Sequence, residues 1–162
     1  MLSGLNGNDL MPPPHHDSHM QLALAEAGRA AERGEVPVGA VVARPDGRVL
    51  AAAGNRTREL SDPTAHAEIL AIRAACATLK SERLVDCDLY VTLEPCAMCA
   101  GAISFARIRR LYYGAGDPKG GGVEHGARVF AQATCHHAPE LYDGIEAARS
   151  VQLLKAFFSH KR

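Results

Sequence analysis

Helical and strand-like segments alternate along this chain, and that order leaves few ways to build a core. Met20, Leu24, Ala27 and Ala31 recur at helical spacing, after a cap at Asp17 or Ser18 and before Gly34. The β-branched run Val36–Val42 reads as a strand, Pro45-Asp46-Gly47 as a turn and Arg48–Ala53 as the returning strand, so 36–53 is expected to be a hairpin. Gly54-Asn55-Arg56 leaves it as a loop. Asp62 or Thr64 can cap a helix from about Ala65 to Leu79, with Ile69, Ile72 and Cys76 on one face. Asp88–Leu93 reads as a strand stopped by Pro95, Cys96–Phe105 as a small-residue helix, Arg109–Tyr113 as a strand, and Ile145–Phe158 as the closing helix. Helices alternating with strands predict an α/β fold, a three-layer α/β/α sandwich around a central mixed sheet.

The 162 residues suit one domain that can bury a core without disulfides. Residues 1–17, with Met11-Pro-Pro-Pro-His-His-Asp17, read as a flexible tail. His15, His16 and His19 have the look of a metal tract, but nothing nearby fixes their geometry, and a polar tail is the expectation. Eighteen basic residues balance eighteen acidic ones, so any polyanion site must be a local patch. No apolar run approaches the roughly 18–20 residues of a membrane span, and no charged segment leads into an apolar one at the N-terminus. No membrane partner and a cytoplasmic location are expected. Five cysteines, two of them as Cys96-x-x-Cys99, favour a reduced protein with a metal or redox site over a disulfide scaffold.

The chemistry concentrates in His66-Ala-Glu68 and Glu94-Pro95-Cys96-Ala-Met-Cys99. One imidazole and two thiolates are a common zinc set, and three protein ligands leave a fourth position for water. His66 falls in the first turn of one expected helix, Cys96 and Cys99 in the first turn of another. The three-residue spacing puts both sulfurs on one face. Helix N-termini lower thiol pKa. Glu68 can lean over such a site without ligating, as the general base that later acts as general acid. A redox pair would have no use for His66 and Glu68. A structural site completed by His125, Cys135, His136 or His137 would draw on loop residues, three of them consecutive, and adjacent side chains such as Cys135 and His136 rarely converge on one ion. The glycine-rich segment Gly114–Gly126 lacks the spacing of a phosphate loop. His-x-Glu followed by Pro-Cys-x-x-Cys is the pattern of zinc-dependent base deaminases.

On these motifs the chain resembles the cytidine deaminase superfamily and, within it, the bacterial tRNA adenosine deaminases. The likeness covers residues 18–119 and resumes in the last helix. Glu35–Val42, Gly54-Asn55-Arg56, Asp62–Glu68, Leu89–Ala102, Arg107–Arg110 and Phe157-Phe158 carry it. Gly120–Gly144 departs from the family pattern, and Ser150 stands where cysteine is common. The resemblance implies a cytidine deaminase-like fold with a five-stranded mixed sheet, formed by residues 18–162. It implies one Zn2+ per chain on His66, Cys96 and Cys99, with Glu68 as proton shuttle. It also implies substrate contacts from Asn55, Pro37, Val38, Glu94 and Pro95. The reaction would be hydrolytic conversion of wobble adenosine to inosine. Deamination of a free base or nucleotide, such as guanine or a pyrimidine, is the alternative on the same scaffold, and a zinc-stabilised binding module is a third. The almost wholly apolar helix at 96–105 predicts a homodimer. Arg107, Arg109 and Arg110, with Lys155, Lys161 and Arg162, are the candidate basic patch for a tRNA anticodon loop.

Overall fold

A computed structural model of the chain describes residues 16–160. Four helices, α1 (His16–Glu32), α2 (Ala67–Leu79), α3 (Ala97–Ala106) and α4 (Ala147–Ser159), accompany five strands. The strands are β1 (Gly39–Ala43), β2 (Val49–Gly54), β3 (Asp88–Leu93), β4 (Arg110–Ala115) and β5 (Glu140–Tyr142), in the sheet order β2-β1-β3-β4-β5. β1 pairs antiparallel with β2 and β3, whereas β3, β4 and β5 run parallel. Parallel neighbours need a crossover, and α3 supplies it between β3 and β4.

Period-two alternation splits the sheet into two faces. Ala40, Val42, Leu89, Val91, Leu111 and Tyr113 point to a core shared with Ala71, Ile72 and Ala75 of α2 and Ala100 and Ile103 of α3. Val41, Ala43, Tyr90 and Tyr112 point the other way, onto Met20, Ala23 and Leu24 of α1, with Leu153 of α4 beside them. This is the expected three-layer mixed sheet.

Several local expectations need correcting. The helix begins at His16, inside the expected tail, and residues 1–15 lie outside the described residues. His19 is a core residue: it is buried, its Nε2 meets the Gly47 carbonyl oxygen at 2.9 Å, and its ring packs edge-on against Tyr90. Asp62 does not cap α2. Its Oδ1 accepts from the Thr64 amide and hydroxyl, closing a turn, and α2 starts only at Ala67. β5 carries no periodic signal, because its three residues are all exposed.

Candidate active site

Parallel β3 and β4 end together, at Leu93 and Ala115, and β1 begins beside them because it runs antiparallel to β3. The starts of α2 and α3 converge on the same end of the sheet. His66 is the N-cap residue of α2 and Cys96 that of α3, and neither side chain makes a capping hydrogen bond. Caps are usually Ser, Thr, Asp or Asn, whose side chains turn back onto the helix amides. Here the two cap side chains turn to each other instead.

His66 Nδ1 lies 3.6 Å from Cys96 Sγ and 3.5 Å from Cys99 Sγ. A tetrahedral ion at about 2.05 Å from nitrogen and about 2.3 Å from sulfur would separate such ligands by about 3.6 Å, so the donor set fits zinc. Among the described residues these three form the one group of His, Cys, Asp or Glu side chains arranged to hold a metal. His125, Cys135, His136 and His137 take no part. His137 Nε2 instead meets the Ile108 carbonyl oxygen at 2.6 Å.

Hydrogen bonds from Cys99 and then His66 hold the Cys96 thiol down to about 4, against the effect of burial. The bond to Cys96, reinforced by burial, pushes the Cys99 thiol up. The His66 imidazole is raised by its bond to Cys96. Glu68, in the first turn of α2, is buried, and that burial pushes its carboxyl up.

A cavity of about 350 Å³ opens beside these groups, lined by Val36, Val38, Asn55, Thr57, His66, Glu68, Leu93, Glu94, Cys96, Asp117 and Gly120. Asn55 Oδ1 accepts from the Ala67 amide at 2.8 Å, and its Nδ2 donates to the Val36 carbonyl at 3.1 Å. It thereby ties the hairpin to the start of α2. Of the expected wall residues Val38 lines the cavity; Pro37 and Pro95 are buried and do not, and Val36 and Leu93 line it beside them. Glu94 reaches the cavity with a carboxylate already surrounded by donors from its own chain. Thr57, Asp117 and Gly120 carry no signal in the motifs. The rule that open α/β sheets bind ligands beyond their strand carboxyl ends would have found Asp117, two residues past β4.

The expected basic patch is divided: Arg109 and Arg110 lie away from the cavity, and Lys155 lies beside it. Arg110 starts β4, opposite Asp88, at the end of the sheet away from the cavity. Arg109 forms a two-point pair with Asp88 at 3.0 and 2.9 Å, and Arg110 pairs with Glu140 at 3.0 Å. Of that patch Lys155 does border the site, together with Lys119. Lys119 and Lys155 line a groove that shares Val36, Leu93 and Asp117 with the cavity and continues to Phe158 on α4. Lys161 and Arg162 lie outside the described residues.

Three protein ligands with a fourth position open are what a hydrolytic zinc centre needs and a structural one avoids. Residues 13–115 match the cytidine and deoxycytidylate deaminase zinc-binding region, and the chain belongs to that family of zinc-binding deaminases. It is 65% identical over 143 residues to the tRNA-specific adenosine deaminase of Agrobacterium fabrum strain C58, covering 88% of this chain and 93% of that one. A solved structure from work on A-to-I editing by tRNA:A34 deaminases superposes with a TM-score of 0.83 at 65% identity, covering 85% of this chain and 99% of the other. The guanine deaminase of Bacillus subtilis is more distant, with a TM-score of 0.60 at 41% identity over 62% of this chain and 64% of its own.

Proposed function

We propose that this chain is a zinc-dependent hydrolytic deaminase that converts adenosine to inosine at the wobble position of tRNA. One observation carries the reading: His66, Cys96 and Cys99 converge beside the buried Glu68, in a chain 65% identical to a tRNA-specific adenosine deaminase. A binding module would need the ligands but not the carboxylate. A single domain carries the activity, residues 18–162 by sequence, with its first helix starting at His16.

Zinc on His66, Cys96 and Cys99 would supply a water with its pKa lowered toward about 7 for attack at C6 of adenine. Glu68 takes the proton released there and delivers it to N1; it then takes the proton of the new C6 hydroxyl and passes it to the amino group, which leaves as ammonia as the C6–N6 bond breaks and the C6 carbonyl forms. Adenosine and water thus become inosine and ammonia. Asn55 is held by Ala67 and Val36 and offers its second Nδ2 hydrogen to the nucleotide. Val36, Val38 and Leu93 supply the apolar wall. A loop nucleotide is already unpaired, so extruding it costs less than flipping one from a duplex. Lys119 and Lys155 are placed for its flanking phosphates.

The partner is a tRNA anticodon loop, and the working unit is a homodimer in the cytoplasm. Supporting the dimer, Phe105 is 72% exposed and Met98 39% exposed on α3. No described helix is long and apolar enough to cross a membrane.

Ammonia release from a transcribed anticodon arm, beside free adenosine, cytidine and guanine, tests the substrate. The arm should turn over fastest, and faster turnover of guanine or cytidine would replace the tRNA reading with a free-base one. Sedimentation at micromolar concentration should show a dimer; a monomer would refute that part.

A further inference from the structure

Glu94 is the most heavily hydrogen-bonded side chain near the cavity, and its donors come from the segment that follows β4. Its carboxylate side chain is completely buried. Oε1 accepts from the Asp117 amide at 3.0 Å and meets His125 Nδ1 at 2.6 Å. Oε2 accepts from the amides of Val123, Glu124 and His125 at 3.1, 3.2 and 3.2 Å. Burial alone would push this carboxyl up, but these donors outweigh it and hold it below its ordinary value.

The loop is shaped for this carboxylate. A Cβ at Gly121 would lie 2.1 Å from Glu94 Oε2, and one at Gly122 would lie 2.5 Å from the Ala97 amide nitrogen. Only glycine lets the chain close over the carboxylate and the start of α3 together. The Gly122 amide donates to the Pro95 carbonyl at 2.8 Å, and the Tyr113 hydroxyl donates to Glu124, which pins the far side. The residues so held include Asp117 and Gly120 of the cavity wall.

We propose that Glu94 and His125 are positioning residues. Glu94 does not bind substrate; it folds 117–125 into the cavity wall, and His125 supplies the side-chain donor that completes its shell. This rests on the deaminase reading only for the kinetic part of the test.

Glu94→Gln keeps size and one acceptor but turns an NH2 group against backbone N–H donors. Amide hydrogen exchange in the substrate-free protein should rise at least about 10-fold at 117 and 123–125, while α2, α3 and zinc content stay unchanged. With the anticodon arm, KM should rise about 10-fold or more and kcat change less, because misplacement of a wall by about 1 Å costs up to about 100-fold. His125→Ala should give the same pattern at smaller amplitude. His125→Asn, which keeps an N–H donor near the Nδ1 position, should restore protection and KM. Should Glu94→Gln fail to fold, the His125 pair decides alone. Unchanged exchange with a raised KM would make Glu94 a direct substrate ligand and overturn the proposal, as would equal exchange in His125→Ala and wild type. Since exchange is read without substrate, a wrong substrate assignment leaves that arm standing.

Discussion

The two sides of the cavity are built by opposite means. The metal side is made of side chains: His66 and Cys96 at helix caps, Cys99 and Glu68 within the first turns. Other parts of the wall are made of backbone folded onto buried carboxylates. Glu94 gathers 117–125, and Glu35 gathers 57–59 by accepting from the Arg58 and Glu59 amides at 3.1 and 2.8 Å and from the Thr57 hydroxyl at 3.3 Å. Thr57 and Asp117, one from each gathered loop, both line the cavity. Reactivity here depends on residue types at a spacing. The shape of the opening depends on where two carboxylates draw amides together.

Removing a side-chain ligand should give the largest effect. Cys96→Ala should lose zinc, lose detectable deamination and lower Tm, because metal binding is coupled to folding. Cys87→Ala and Cys135→Ala should keep the metal. Elemental analysis and thermal unfolding with and without chelator check all three, and full zinc occupancy in Cys96→Ala would remove it from the site. Glu68→Gln should come next. It should retain zinc and Tm while deamination falls by about 10² to 10⁴, the usual worth of a positioned acid–base group. Retained activity would leave a metal-stabilised binding domain in place of an enzyme.

A smaller effect is expected at the walls, and it sharpens the contrast because it acts on stability. Burial pushes the Glu35 carboxyl up, but donors from Glu59, Arg58 and Thr57 outweigh that and leave it lowered. A carboxyl lowered by folding stabilises above its unfolded pKa of about 4.3 and loses that stabilisation as pH falls through the folded value. Glu35→Gln should therefore cost about 2 kcal/mol near neutrality, the worth of a charge-assisted hydrogen bond whose partners are left wanting. Its deficit against wild type should shrink as pH falls below about 4. Urea titrations at several pH values measure this, and a deficit constant down to pH 3 would show that the charge is irrelevant.

The same contrast explains what is legible in the sequence. His66, Glu68, Cys96 and Cys99 are legible because their chemistry is carried by side-chain identity at fixed spacing, and the layered fold because apolar periodicity records burial. The roles of Glu35 and Glu94 are not, since the amides they collect leave no mark on residue type. Asp62 and Thr64 look like helix caps because a turn and a cap use the same short acceptors. Pro37 and Pro95 match a wall motif whose exposed surface their neighbours supply. Clustering along the chain does not say that Arg109 and Arg110 fall at the start of β4, away from the cavity, while Lys155 of the same expected patch falls beside the groove.

The smallest expected effect concerns those arginines, and it separates charge near the site from charge elsewhere. Arg110 sits at the start of β4, paired with an exposed Glu140. Such a surface pair is worth at most about 1 kcal/mol, so Arg110→Ala should fold. Being at the far end of the sheet, it should leave RNA binding and its salt dependence unchanged. Lys119 and Lys155 border the groove that continues from the cavity. Removing one phosphate-neutralising cation should reduce the slope of log affinity against log salt by about 0.7 for single-stranded RNA. Lys119→Ala and Lys155→Ala should therefore each flatten that slope by about this amount, measured with an anticodon arm between low and physiological salt. If Arg110→Ala flattens the slope and the lysine variants do not, the RNA runs across the other end of the sheet, and the groove beside Phe158 is not its path.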